Sequence, residues 1–410
     1  MTRSIFEHLE LAPRDPILGL NEAFNADTRA GKVNLGVGVY TDENGKIPLL
    51  ASVREAEAAR VAALPPRGYL PIDGIAGYNQ GTQTLLFGEN APIIKEGRVV
   101  TIQALGGTGA LKIGADFLKH LEPDATVWIS DPSWENHRAL FEMAGFQVNN
   151  YPYYDAASHG VKFAELLETF RGLPARSIVV LHACCHNPTG VDLTPAQWKE
   201  VIDLVVAKNL IPFLDLAYQG FDQGIEADGA VVRAMAATGI DFFVASSYSK
   251  SFSLYGERVG ALSIVTGNKD ESTRLLSQVK RTIRTNYSNP PTHGATLVST
   301  ILNTPNLKAQ WEEELAGMRK RIRAMREKLV GLLKTAAPGR DFSFIAKQNG
   351  MFSYSGLTAA QVERLKTEFG IYAVSTGRIC VAALNLQNID YVANAIGKVV
   401  SVAPEKVASH

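Results

Sequence analysis

The sequence predicts an α/β fold, a mostly parallel sheet covered by helices, followed by a smaller α+β tail. Three observations carry this. Short β-rich runs alternate with helical patterns between residues 99 and 264. A single apolar stripe then descends one long helix after residue 304. Short strand-like runs and two further helical patterns fill the remainder.

Val99-Val-Thr-Ile-Gln, Thr126-Val-Trp-Ile-Ser, Ser177-Ile-Val-Val-Leu, Leu210-Ile-Pro-Phe-Leu, Phe242-Phe-Val-Ala-Ser and Val259-Gly-Ala-Leu-Ser-Ile read as buried strands. Helical patterns lie between most of them, for example over residues 110–120 and 195–208. Alternation of this kind implies crossover units and a sheet buried on both faces. Ligands of such sheets sit beyond the carboxyl ends of the strands, where Asp131 and Asp215 end their apolar runs.

Thr304-Pro305 then reads as a cap followed by proline in the first turn. Trp311, Leu315, Met318, Ile322, Met325, Leu329 and Leu332 recur every three or four residues, with Arg and Lys opposite, until Pro338-Gly339. Strand-like runs follow at Phe342-Ser-Phe-Ile, Met351-Phe-Ser-Tyr, Ile371-Tyr-Ala-Val and Arg378-Ile-Cys-Val. Helical patterns cover 358–369 and 388–400, and residues 406–410 are expected to fray.

Composition narrows the class of function. A chain of 410 residues predicts two domains, with three as the alternative, and 46% hydrophobic with 20% charged residues is ordinary for a soluble protein. Lys plus Arg and Asp plus Glu both number 41, a formal charge of zero that argues against nucleic-acid and membrane partners. The three cysteines do not form a disulfide framework. Glu7, His8 and Glu10 interrupt any apolar leader. The longest apolar run, residues 201–216, contains Asp203, Lys208 and Asp215. A cytoplasmic location is expected.

The most informative constellation surrounds Lys250, in Ser246-Ser-Tyr-Ser-Lys250, with Arg258 eight residues on and Asp215-Leu-Ala-Tyr218 upstream. A lone lysine is usually solvated, but this set supplies what pyridoxal phosphate needs. The amine condenses with the aldehyde. The Asp215 carboxylate keeps the ring nitrogen protonated, and the Tyr218 phenol can bond the ring oxygen. Hydroxyls and Arg258 suit a phosphate. Gly106-Gly-Thr-Gly-Ala-Leu-Lys follows a strand and opens a helix, where backbone N–H groups also suit a phosphate. A plain tight turn is the alternative. A dinucleotide fingerprint is incomplete, since its third glycine position is Lys112.

Other segments are less specific. His182-Ala-Cys-Cys-His186 resembles a metal cluster, but adjacent Cys184 and Cys185 on a strand would face opposite ways, so no metal is expected; the segment reads as buried strand residues, with indirect support of the neighbouring site as the alternative. Asn187-Pro-Thr-Gly190 marks a turn. Trp134 could cover a planar ring or belong to the core, and His137 could bond a carboxylate or simply begin a helix. Arg284 and Arg378 are solvated by default, yet two planar forks are what a substrate with two carboxylates requires.

Taken together these motifs resemble the pyridoxal-phosphate-dependent class I aminotransferases, and among them the bacterial aspartate and aromatic-amino-acid enzymes. Leu35-Gly-Val-Gly-Val-Tyr, Tyr69-Leu-Pro-Ile-Asp-Gly, Ser133-Trp-Glu-Asn-His, Cys185-His-Asn-Pro-Thr-Gly, Ser249-Lys and Tyr255-Gly-Glu-Arg-Val-Gly carry the likeness, which spans nearly the whole chain. It implies the type I transferase fold: an arm at residues 1–14, a small domain from 15–48 plus 320–410, and a large domain over 49–319. Lys250 would hold the cofactor and then move the substrate proton. Asp215, supported by His137, would pair with the ring nitrogen, Tyr218 and Asn187 with the ring oxygen, and Trp134 would stack on the ring. Gly107, Thr108, Ser247, Ser249 and Arg258 would hold the phosphate, joined by Tyr69 from a second subunit. Arg378 would bind the α-carboxylate near Gly38 and Asn187. Arg284 of the neighbour would meet a distal carboxylate, which makes a homodimer with shared sites. The implied activity is amino transfer from tyrosine, phenylalanine or aspartate to 2-oxoglutarate. Alternatives are a mainly aspartate-specific enzyme, another pyridoxal-phosphate reaction such as β-elimination or decarboxylation, and a non-catalytic binding protein on the same fold.

Overall fold

The computed structural model describes residues 4–401. The expected frayed end at 406–410 and the first three residues of the expected arm lie outside that range. Seven strands form the central sheet, in the order Val99–Leu105, Val259–Val265, Phe242–Ser247, Ile211–Leu216, Ile178–His182, Thr126–Asp131, Gln147–Pro152. All neighbours pair in parallel except Val259–Val265, which is antiparallel to both of its neighbours.

The alternation of side chains explains why both faces need cover. Ile178, Val180, Phe213, Phe243 and Leu262 enter one apolar cluster, together with Leu111, Phe117 and Ile283 of helices Gly106–Leu121 and Lys269–Asn286. Val179, Leu181, Leu214, Val244 and Ala261 face the other way, into a cluster that also holds Val201, Val298 and Trp311.

The six expected strands are all present. A seventh, Gln147–Pro152, was not anticipated: it is an edge strand of sequence Gln-Val-Asn-Asn-Tyr-Pro, whose polar residues carry no apolar run. The helix expected from residue 110 begins at Gly106, directly after the strand.

The long helix is Pro305–Ala336, with its anticipated stripe buried from Trp311 to Leu329. It runs unbroken through residue 320, where a domain boundary was expected. Phe342-Ser-Phe-Ile is not a strand. Asp341 accepts hydrogen bonds from the backbone N–H and hydroxyl of Ser343, and a 3-10 turn, Ser343–Lys347, follows. The remaining tail strands form small ladders: Phe352–Tyr354 antiparallel to Arg378–Cys380, and Ile371–Tyr372 parallel to Val33–Asn34 from the start of the chain. Among the described residues no helix is long and apolar enough to cross a membrane.

Candidate active site

One cleft of about 250 Å³ opens at the carboxyl ends of the parallel strands. Asp215 projects from the strand Ile211–Leu216, in register with His182 on one side and Ala245 on the other. Lys250 follows three residues after the strand Phe242–Ser247, and its Nζ lies 5.0 Å from the centre of the Tyr218 ring. The cleft is also lined by Gly38, Gly107, Thr108, Trp134, Asn187, Ser247, Ser249, Arg258 and Arg378.

Asp215 is buried, and burial alone would raise its pKa. The hydrogen bond from His137 and the charge of Lys250 outweigh it and hold the carboxyl below its ordinary value. His137 Nε2 stands 2.7 Å from Asp215 Oδ2, and Ser133 Oγ lies 2.8 Å from Nδ1. Lys250 is pushed down to about 8, first by burial and then by Arg258 and Arg378, against the opposing charge of Asp215. At pH 7 an ordinary lysine is neutral in about three molecules in ten thousand, and this one in about one in ten. Desolvation also raises the Tyr218 phenol, which therefore stays protonated.

The phosphate end depends on close approach. Gly106 has φ 70°, and a Cβ there would meet the Arg258 guanidinium at 2.4 Å. A Cβ on Gly107 would meet Ser247 Cβ at 3.1 Å. Glycine thus lets the first turn of a 16-residue helix lie beside Arg258 and Ser247. At the opposite end, Arg378 donates to Asn187 Oδ1 at 3.1 Å and to Gly36 O at 2.6 Å, with its guanidinium 4.3 Å from the Phe352 ring. Its Nε is buried with no hydrogen-bond partner among the described residues. An amine near a carboxylate, an anion cradle and a buried guanidinium together fit pyridoxal phosphate carrying an amino acid.

Two expected residues lie outside the cleft of this chain. Tyr69 is 95% exposed, and Arg284 is exposed with its guanidinium on Ser288 Oγ. His137 stands behind Asp215 rather than in the lining. Cys184 and Cys185 are not on a strand, which ends at His182; both are buried in the turn that follows. His182, His137 and Asp215 put three ligand-type atoms within 4.8 Å, and neither cysteine belongs to that group.

Sequence reasoning gave Tyr255 and Phe352 no role, and His182 none beyond its segment's indirect support of the neighbouring site; all three line the cleft. His182 has both ring nitrogens buried without a partner, and burial lowers its pKa to about 3, so a neutral ring backs the Asp215–His137 pair. Tyr255 stands in a motif quoted for Arg258, and its hydroxyl accepts from the Tyr40 N–H at 2.9 Å. That contact joins segments too far apart in sequence to be read locally.

Comparison with known proteins agrees with this geometry. The family model described as aminotransferase class I and II matches residues 30–396. An aspartate aminotransferase of Pseudomonas aeruginosa is 69% identical over 396 residues, covering 97% of this chain and 100% of its own. An aromatic-amino-acid aminotransferase of Escherichia coli is 52% identical over 397 residues, covering 96% and 100%. The crystal structure of an aromatic-amino-acid aminotransferase from Burkholderia pseudomallei, covalently bound to pyridoxal phosphate, matches with a TM-score of 0.95 at 68% identity, covering 97% and 100%. The chain belongs to the class I and II aminotransferases. It is an aminotransferase, and the non-catalytic alternative has no support.

Proposed function

We propose that this pyridoxal-phosphate enzyme transfers the amino group of aromatic amino acids and of aspartate to 2-oxoglutarate. The observation that carries the reading is the single cleft shared by the depressed Lys250 amine and the Asp215 carboxylate. When bound, the cofactor serves as an electron sink for the bond broken at the substrate Cα.

The side chains divide the remaining work. Asp215, oriented by His137, holds a proton on the ring nitrogen. Tyr218 and Asn187 bond the ring oxygen, Trp134 covers the ring face, and Gly107, Thr108, Ser247, Ser249 and Arg258 bind the phosphate. Lys250 would hold the cofactor and, once free, would be the base that takes the substrate Cα proton and gives it back. Arg378 binds the α-carboxylate, with Gly38 leaving room for the Phe352 ring beneath it; a Cβ at Gly38 would meet that ring at 2.6 Å. Donor and acceptor use the same site in turn, a ping-pong sequence.

We also assign Tyr69 and Arg284 to the neighbouring site of a homodimer. Both are exposed in one chain, as are Ile5, Phe6, Leu9 and Leu11 of the arm. In this reading residues 15–48 with 320–410 form a small domain that closes on 49–319 and excludes water. Three free cysteines suit a reducing cytoplasm. Both donor names occur among the similar proteins, and Arg284 supplies a fork for a second carboxylate, so dual use is favoured over aspartate alone. A steady-state panel of aspartate, tyrosine, phenylalanine and leucine against 2-oxoglutarate tests it. Turnover of leucine alone, or of none, would overturn the assignment.

A further inference from the structure

The long helix carries one residue that breaks its own pattern. Arg326 stands among the Arg and Lys positions beside the apolar stripe, yet it is 3% exposed, and among the described residues no carboxylate pairs with it. Taking a guanidinium out of water without a counter-ion is costly unless every donor is used. Here its donors converge on one short segment. Nη2 donates to Gly350 O at 2.6 Å and to Phe352 O at 2.5 Å. Nη1 donates to Ile345 O at 3.3 Å and to Ser353 Oγ.

The pairing pattern explains why those carbonyls are available. Among the described residues the strand Phe352–Tyr354 has a neighbour on one edge only, Arg378–Cys380. Met351 O points to that edge and accepts from the Val381 and Ala382 N–H groups. Gly350 O and Phe352 O alternate to the other edge, where no strand follows. One amino group of Arg326, Nη2, donates to both, in place of a missing strand, while Nη1 reaches Ile345 O and Ser353 Oγ. On its remaining side the segment is wedged against the cleft loop: Asn349 N–H donates to Gly190 O at 2.6 Å, and a Cβ on Gly190 would meet Phe352 O at 2.8 Å.

The consequence reaches the substrate end. Alternation turns Ser353 toward Arg326 and Phe352 toward the cleft. The Phe352 ring underlies the Arg378 guanidinium at 4.3 Å, and Tyr354 is the register partner of Arg378 itself.

We propose that Arg326 is a positioning residue for substrate recognition: by satisfying the free edge of the Gly350–Ser353 segment it sets the height of Phe352 and hence the aim of Arg378 at the substrate carboxylate. The inference rests on the carboxylate-binding role of Arg378 given above.

The test uses the holoenzyme and two unreactive carboxylates, succinate and 3-phenylpropionate, titrated by the change in cofactor absorbance. Arg326→Lys keeps the charge but offers one nitrogen with three donors in place of two, so it cannot serve Gly350 O and Phe352 O together with Ile345 O and Ser353 Oγ. It should weaken both probes about tenfold, the equivalent of one lost hydrogen bond, and raise KM while kcat and cofactor affinity hold. Ser353→Ala, which removes one of four acceptors, should move the same affinities less. If Arg326→Lys does not fold, Ser353→Ala decides alone by those two affinities. Unchanged probe binding, or an equal loss of cofactor affinity, overturns the proposal. Arg378→Lys is the control: weakened probes there but not in the Arg326 and Ser353 variants refute the positioning role only, whereas unaltered probes in all three refute the reading beneath it.

Discussion

His137 Nε2 and Asp215 Oδ2 meet at 2.7 Å in a buried pair whose carboxylate lines the cleft, and Ser133 fixes the far side of the same ring at 2.8 Å. The carboxylate is thereby held ionised in a buried place, which is what a protonated ring nitrogen requires opposite it. Asp215→Ala should lower kcat/KM by on the order of 10²–10³, the range found when a buried electrostatic partner of a reacting group is removed. His137→Asn leaves the carboxylate in place and should cost less. Steady-state rates for both variants check this. A larger loss for His137→Asn than for Asp215→Ala would mean that the histidine, not the carboxylate, meets the cofactor.

Lys250→Ala should abolish turnover without unfolding the chain. The side chain is half-buried at a loop position beyond a strand end, so its removal leaves the two apolar clusters intact. Circular dichroism and a thermal melt report the fold, and coupled assays report the rate. Near-normal transamination in this variant would falsify the role of Lys250.

The Lys250 amine also predicts a pH dependence. Its folded pKa of about 8 lies below the ordinary 10.5, chiefly through burial. Between those values the unfolded apoprotein binds more protons than the folded one, so this group's contribution to apoprotein stability rises with pH across that window. Below pH 8 both states are protonated and the full burial penalty applies. Capture of the cofactor aldehyde needs the neutral amine. Its rate should therefore climb through pH 8 and level off above it. Stopped-flow absorbance of apoprotein mixed with cofactor measures the midpoint, and a value near 10 would place Lys250 in solvent.

How much of this was legible in the sequence depends on the range of the interaction. The buried strands announced themselves because both faces are covered, which forces continuous apolar runs such as Ile178-Val-Val-Leu. Gln147–Pro152 did not, because an edge strand satisfies its polar residues in water. Phe342-Ser-Phe-Ile has the composition of a strand, but the Asp341 side chain captures Ser343 and turns the backbone instead. Asp215, Tyr218 and Lys250 were readable because few chemistries need a carboxylate, a phenol and an amine in that order. Arg326 was not, since a buried guanidinium and a solvated one have the same spacing on a helix. Only the fold brings Gly350 and Phe352 to it.

The exposed positions of Tyr69 and Arg284 allow a test that separates shared sites from self-contained ones. Arg284→Ala removes a charge-assisted contact worth on the order of 1.5–3 kcal/mol. Aspartate turnover should fall roughly 10- to 150-fold by that amount, with phenylalanine turnover little affected. Now let subunits carrying Arg284→Ala be mixed with subunits carrying Lys250→Ala. In a mixed dimer with shared sites, the Arg284→Ala chain keeps its lysine and borrows an intact arginine from its neighbour, so one site of the two is complete. Aspartate activity should then rise well above the sum of the two parents. If each arginine served its own chain, every site would lack either the amine or the fork, and mixing would restore nothing. Recovery of aspartate turnover on mixing, with sedimentation showing a dimer, is the expected result.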